Sequence, residues 1–174
     1  MIAWIKKKNI LLSLLLVLAV MAVIFIFSAQ SGPDSDRASG AVIETAQQFL
    51  GPAPKTDKGL ARTLQDGKYM TAFVRKAAHI CEYAALGFAL MLHFRVLAAG
   101  GKIRRPVPPA FLIGVLYGGT DELHQLAVSG RKGSLSDVLI DSIGVALGLA
   151  LLLLAVRLGR LRRRRRGDPR SPRP

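Results

Sequence analysis

The sequence predicts an all-α fold: a polytopic membrane protein built as a four-transmembrane-helix bundle, with an amphipathic helix or loop on its outer side. Three observations predict it. Of 174 residues, 51% are hydrophobic and 21% charged, a balance that excludes a disordered chain. The apolar residues gather into four stretches near the roughly 20 residues needed to cross about 30 Å of hydrocarbon. The net charge of +14 lies in blocks beside those stretches, unlike the charged surface of a soluble nucleic-acid binder. A single cysteine, Cys81, excludes an internal disulfide and reads as a small core residue.

The first stretch, residues 10–27, has only Ser13 as a polar interruption. Lys6, Lys7 and Lys8 before it and Ser28 and Ala29 after it resemble a secretory signal. Its length exceeds the usual signal core of about 7 to 15 residues, so a retained span is expected. An outer loop, 28–70, follows. Within it Ala38, Val42, Ala46 and Phe49 recur at helical spacing, and Pro52 and Pro54 end the pattern. This predicts a short amphipathic helix, lying on the outer membrane surface or packed on the bundle, then a linker through Gly59 and Gly67. The remaining spans are 71–97, 108–128 and 135–156. Residues 1–156 thus form one membrane domain, and 157–174 a basic cytoplasmic tail.

Orientation follows from the cations, because Lys and Arg near short loops stay in the cytoplasm. With four spans both termini share one side, which holds Lys6 to Lys8, Arg95, Lys102, Arg104, Arg105, Arg157, Arg160, Arg162 to Arg166, Arg170 and Arg173: 16 cations against one acid, Asp168. The 28–70 loop balances five acids with five bases and suits the outside. Both termini are therefore expected in the cytoplasm of a multi-pass cell-membrane protein. The arginine tail reads as a topology anchor touching phospholipid head groups, and no nucleic-acid partner is expected.

Ionisable residues inside spans two to four carry the functional signal, since each costs about 2.5 to 3.5 kcal/mol at mid-bilayer and such groups are functional by default. The second span opens with Arg75, Lys76, His79 and Glu82, of which 75, 79 and 82 share a helix face. In the third, Tyr117, Asp121, His124 and Gln125 share a face, with Glu122 beside it. The fourth follows a tight turn, Gly130-Arg131-Lys132-Gly133. It starts at Ser134, a potential cap, and carries Asp137 and Asp141 four apart. Gly144 and Gly148 continue that stripe and admit a closely packed helix. At 1.5 Å per residue, His79, Asp121 and Asp141 fall about 12, 10 and 9 Å from the same outer boundary. The cluster's four cations and five acids nearly neutralise one another, as buried charges must. A purely structural role, a charged plug fixing helix register, is the simpler reading of the same residues.

Three runs together are specific: Arg75-Lys76-Ala77-Ala78-His79-Ile80-Cys81-Glu82-Tyr83, Tyr117-Gly118-Gly119-Thr120-Asp121-Glu122-Leu123-His124-Gln125, and Gly130-Arg131-Lys132-Gly133-Ser134-Leu135-Ser136-Asp137 continuing to Asp141 and Gly144. In order and spacing they resemble the VanZ-like family of bacterial membrane proteins, as does the exit from the first span at Ser28-Ala29-Gln30-Ser31. Ile80, where the family often has an aromatic residue, and Ala127-Val128-Ser129, in place of a proline-containing approach to the turn, depart from its pattern.

The resemblance implies a protein of the bacterial cell envelope, in a family named for low-level resistance to the lipoglycopeptide teicoplanin. The first functional expectation is binding of an outer-leaflet amphiphile: a membrane lipid, a lipid-linked cell-wall precursor or the acylated antibiotic itself. Arg75, Lys76, Arg131 and Lys132 would hold its anionic groups, with Tyr117 and Gln125 beside them. The alternative is a membrane-embedded acid/base or metal-assisted hydrolase or transferase acting on a lipid-linked head group. His79 or His124 would be its base and Glu82, Asp121, Glu122, Asp137 and Asp141 its carboxylates. Proton-coupled transport is a third class. The spacing leaves metal and cofactor open.

Overall fold

Long runs of Leu, Ile, Val and Ala, uninterrupted by helix breakers, are satisfied as helices, because a backbone in hydrocarbon has to bond within its own segment. The computed structural model describes residues 2–50, 67–131 and 133–165, and among them it is all-helical. The helices are α1 (Ile2–Ser28), α2 (Gly32–Leu50), α3 (Gly67–Ala99), α4 (Val107–Gln125) and α5 (Leu135–Arg165). Three contain stretches long and apolar enough to cross a membrane: Lys7–Ser28, Tyr69–Ala99 and Leu135–Arg163. The polar end of α4, Thr120 to Gln125, keeps that helix out of this set.

Helix α3 is central. It packs most extensively on α5, and also on α1, α4 and α2. Tyr83, Leu86, Ala89, Leu90 and Met91 of α3 form the core with Ile24 of α1, Ala110 of α4 and Val145 of α5. The outward faces are apolar too: Leu11, Leu15 and Ile26 on α1, Leu112 and Leu116 on α4 and Leu139, Ile143 and Leu147 on α5 are all exposed. Such a surface suits lipid as solvent. Ser13, the polar interruption of the first apolar run, is buried; its hydroxyl lies 2.9 Å from His93 Nδ1 and donates to the Ile10 carbonyl.

Several boundaries differ from the sequence expectation. Helix α5 continues nine residues past 156, to Arg165, because arginine propagates a helix and favours the negative end of its dipole. Helix α4 begins with prolines in its first turn, where no N–H is needed. It ends at Gln125 rather than 128, and 126–128 turn away through short bonds such as Ala127 N–H to the His124 carbonyl. Gly67 belongs to α3; the rest of the expected linker, 51–66, lies outside the described residues. Cys81 is exposed rather than in the core, since it lies on the outward stripe of α3 with Ala78, Ala85 and Phe88.

The amphipathic segment forms α2, started by a reciprocal cap: the Asp34 N–H donates to Ser31 Oγ, and Ser31 Oγ–H donates to the Asp34 carboxylate. Helix α2 packs on α3, but the residues it buries are Gly32, Ser35 and Ser39. The apolar stripe of Ala38, Val42, Ala46 and Phe49 is exposed. Small side chains let α2 come close to the bundle, while the larger apolar ones face outward.

Close approach is also what joins α3 to α5. A Cβ on Gly148 would run into the Ala84 carbonyl, one on Gly87 into the Val145 carbonyl, and one on Gly144 would sit 2.7 Å from the Ile80 carbonyl oxygen. These obstacles are backbone atoms and cannot rotate away. Gly148→Leu is therefore expected to destabilise the protein by at least about 1 to 3 kcal/mol. Gly159→Ala, where nothing lies within 4 Å, is expected to leave the thermal midpoint in detergent unchanged. Thermal unfolding of the purified variants checks both.

Candidate functional site

The polar residues of α3, α4 and α5 meet at one end of the helices. Ser134 starts α5: its Oγ accepts the Ser136 N–H at 3.2 Å, and its carbonyl accepts the N–H groups of Asp137 and Val138. The Ser134 N–H itself donates to Glu122 Oε2 at 2.8 Å, so the carboxylate of α4 holds the turn that launches α5. The same turn is fastened to α1 and α2. Gly32 N–H donates to the Ser129 carbonyl at 3.0 Å, and Gly130 takes a positive φ of 75° that suits glycine. Arg131 Nε donates to the Gln30 carbonyl at 3.2 Å, and Nη2 lies 3.5 Å from the Phe27 carbonyl, near the negative end of α1. Partial burial and the neighbouring Arg75 guanidinium draw the Arg131 guanidinium below its ordinary pKa, while Asp121, Asp36 and Glu122 act in the opposite direction.

A cavity of about 340 Å³ lies inside this frame. Its cationic side is Arg75, Lys76 and Arg131; its acidic and neutral polar side is Glu122, Gln125, Asp137 and Asp141, with His79 between them. Arg75 pairs with Asp36 of α2 at 2.7 Å, and Lys76 pairs with Asp137 of α5. One turn deeper, His79 Nδ1 stands 3.4 Å from Asp141 Oδ1. Asp121 is buried behind the cavity, where its Oδ2 accepts a hydrogen bond from Gln125 Nε2 at 3.2 Å. Ligand atoms of His79, Asp121 and Asp141 all lie within 4.8 Å of one another.

A second cavity, of about 240 Å³, adjoins the first and shares Arg75, His79 and Arg131 with it. Glu82 lines this one instead, with Phe27, Val42, Val74 and Ala78 supplying apolar surface between α1, α2 and α3. The two together present a charged chamber beside a more apolar one.

Two other expected residues lie apart. The Tyr117 hydroxyl donates to the Met21 carbonyl of α1 at 2.7 Å, and the His124 ring packs on Phe25 with centroids 4.7 Å apart. Both brace α4 against α1. Lys132 lies outside the described residues. Two residues outside the expected site set, Tyr83 and Asp36, are also brought to the site. Tyr83 is wholly buried, with its ring stacked 6.5 Å from His79; its place four residues after His79, on the same helix face, was a usable signal. Asp36, the partner of Arg75, is 39 residues away on another helix, and no local spacing reveals it.

An all-helical membrane protein whose helices converge on a buried carboxylate and histidine cluster is the class that fold and site define. The chain belongs to the VanZ/LLP1 family, whose model matches residues 13–156 and so takes in every element of the site. No curated protein and no solved structure matches the chain.

The Glu122 to Ser134 link carries a testable load. Removing the acceptor with Glu122→Ala leaves the part-buried Ser134 N–H without its carboxylate partner and is expected to lower stability by about 1 kcal/mol. Glu122→Gln keeps an oxygen in place and is expected to retain most of that stability. Thermal unfolding of the two variants in the same detergent separates them.

Proposed function

We propose that this VanZ/LLP1 protein is a four-span protein of the bacterial cell membrane that binds an anionic amphiphile from the outer leaflet. In this reading α1, α3, α4 and α5 cross the bilayer as a single domain covering 1–156, and both termini face the cytoplasm with the basic tail. Helix α4 counts as the fourth span because its 19 residues reach about 28 Å. Helix α2 rests on the outer leaflet with its exposed apolar stripe in the acyl region.

The observation that carries the reading is the pair of adjoining cavities that share Arg75, His79 and Arg131. Guanidinium groups bind phosphate and carboxylate in a fixed planar fork, so the first chamber takes the head group. The second, bounded by Phe27, Val42, Val74 and Ala78, takes the start of the chain. A lipid-linked cell-wall precursor and the acylated antibiotic teicoplanin both have this build, and occupancy by either would alter drug access at the membrane surface.

Wild type expressed in a sensitive host is expected to protect against teicoplanin and not against a glycopeptide lacking the acyl chain. The double variant Arg75→Gln/Arg131→Gln, at matched membrane abundance, is expected to lose that protection. Its binding of a fluorescent acylated probe in nanodiscs should weaken about 10-fold or more, the loss of a charge-assisted bond. Unchanged binding by the double variant rejects the cationic rim as the head-group site. For topology, a reporter active only outside the cytoplasm is expected to work when fused after Gly40 and to fail after Gly101 or Arg163.

A further inference from the structure

Buried polar atoms without partners concentrate at one point of the molecule. Asp141 is 1% exposed and Asp121 4%. Both Asp141 carboxylate oxygens and Asp121 Oδ1 have no hydrogen-bond partner, and neither does His79 Nδ1, whose 3.4 Å separation from Asp141 Oδ1 is an ion-pair distance only if the ring is protonated. The Tyr83 hydroxyl is buried as well and makes no hydrogen bond of ordinary geometry. The described cations at this end are engaged elsewhere: Arg75 with Asp36, Lys76 with Asp137, Arg131 with the Gln30 and Phe27 carbonyls. Two carboxylates brought this close in a low-dielectric setting need a positive charge between them or a proton on one of them.

We infer that His79 Nδ1, Asp121 Oδ1 and an Asp141 carboxylate oxygen form a binding site for a first-row divalent transition ion. The three residues come from three different helices, and their ligand atoms lie within 4.8 Å of one another. Ligands on a common ion at about 2.0 to 2.2 Å stand up to about 4.3 Å apart, so small rotations of the carboxylates complete the set. One imidazole with two carboxylates suits Mn²⁺, Fe²⁺ or Zn²⁺ better than the all-oxygen sites preferred by Mg²⁺ and Ca²⁺. Gln125, donating to the other oxygen of Asp121, orients that ligand. Because His79 and Asp141 also line the 340 Å³ cavity, the remaining coordination positions open into it, where water or an oxyanion from a bound head group completes the shell. The ion's double charge offsets both aspartates. The inference goes beyond the amphiphile reading and does not rest on it.

The test is Mn²⁺ binding by the full-length protein in nanodiscs, stripped with chelator and read by loss of the free-ion paramagnetic resonance signal, with Zn²⁺ as competitor. Wild type is expected to bind about one Mn²⁺ per chain, Zn²⁺ to displace it, and the bound signal to show coupling to an imidazole nitrogen. Asp121→Asn, Asp141→Asn and His79→Gln are each expected to weaken binding at least about 10-fold. Glu44→Gln, on the exposed surface of α2 and away from both cavities, is expected to bind as wild type does. Mn²⁺ should raise the thermal midpoint of wild type and of Glu44→Gln and leave the three ligand variants unmoved. If a ligand variant does not fold, the wild-type stoichiometry and the nitrogen coupling still decide. Wild type that takes up neither Mn²⁺ nor Zn²⁺, or binding without nitrogen coupling, or binding that survives all three substitutions, overturns the inference. None of these readouts involves an amphiphile, so failure here and failure of the amphiphile reading are distinguishable.

Discussion

The cost of keeping Asp121 and Asp141 out of water is the constraint on which this end of the molecule depends. A buried carboxylate survives only where its surroundings hold compensating groups at a fixed distance, and fixed distances between helices require close, unyielding contacts. The contact of α3 with α5 supplies them: Gly144 and Gly148 bring the backbones together beside Tyr83 and Ala84, and Asp141 reaches His79 one turn away. On the other side Gly118 leaves room for Asp141 and Tyr83 against α4. The glycines and the charges are thus parts of one arrangement, in which small residues set how deeply each charge is buried.

Around that buried centre the ion pairs grow more exposed with distance. His79 with Asp141 is deep; Lys76 with Asp137 and Arg75 with Asp36 lie nearer solvent and face the cavity or its edge. Exposed pairs contribute little to stability, generally about 0 to 1 kcal/mol. Their effect is to position cations without locking them, so the guanidinium of Arg75 and the ammonium of Lys76 can exchange a protein carboxylate for an incoming anion.

Much of this was legible in the sequence because membrane helices and buried charges both leave local marks. Apolar runs located α1, α3 and α5, and the spacing of 75, 79 and 82, of 121 and 125, and of 137 and 141 indicated faces that do converge. The breakdown of local marks explains the rest. Helix α4 reads ambiguously because the residues that build the site also lower its apolarity. The apolar spacing of α2 indicated a helix, but its buried face is the one with serines and glycine, which no hydrophobic pattern selects. His124 and Tyr117 share the helical stripe of Asp121, yet their position next to α1 directs them to Phe25 and the Met21 carbonyl. Such assignments depend on which helix is the neighbour, and that information is not carried by spacing along one segment.

The fastening of the α4–α5 turn has a mechanical consequence. Gly32 is bonded to Ser129, Arg131 reaches back to the carbonyls of Gln30 and Phe27, and Glu122 grips Ser134. Backbone and part-buried bonds therefore tie α1, α2, α4 and α5 together at this corner. The opposite edge, the N-terminal part of α3, is held to α2 and α5 by the exposed pairs of Arg75 and Lys76. The chamber is thus bounded on one side by backbone-anchored bonds that carry Arg131 and on the other by ion pairs that water can reach.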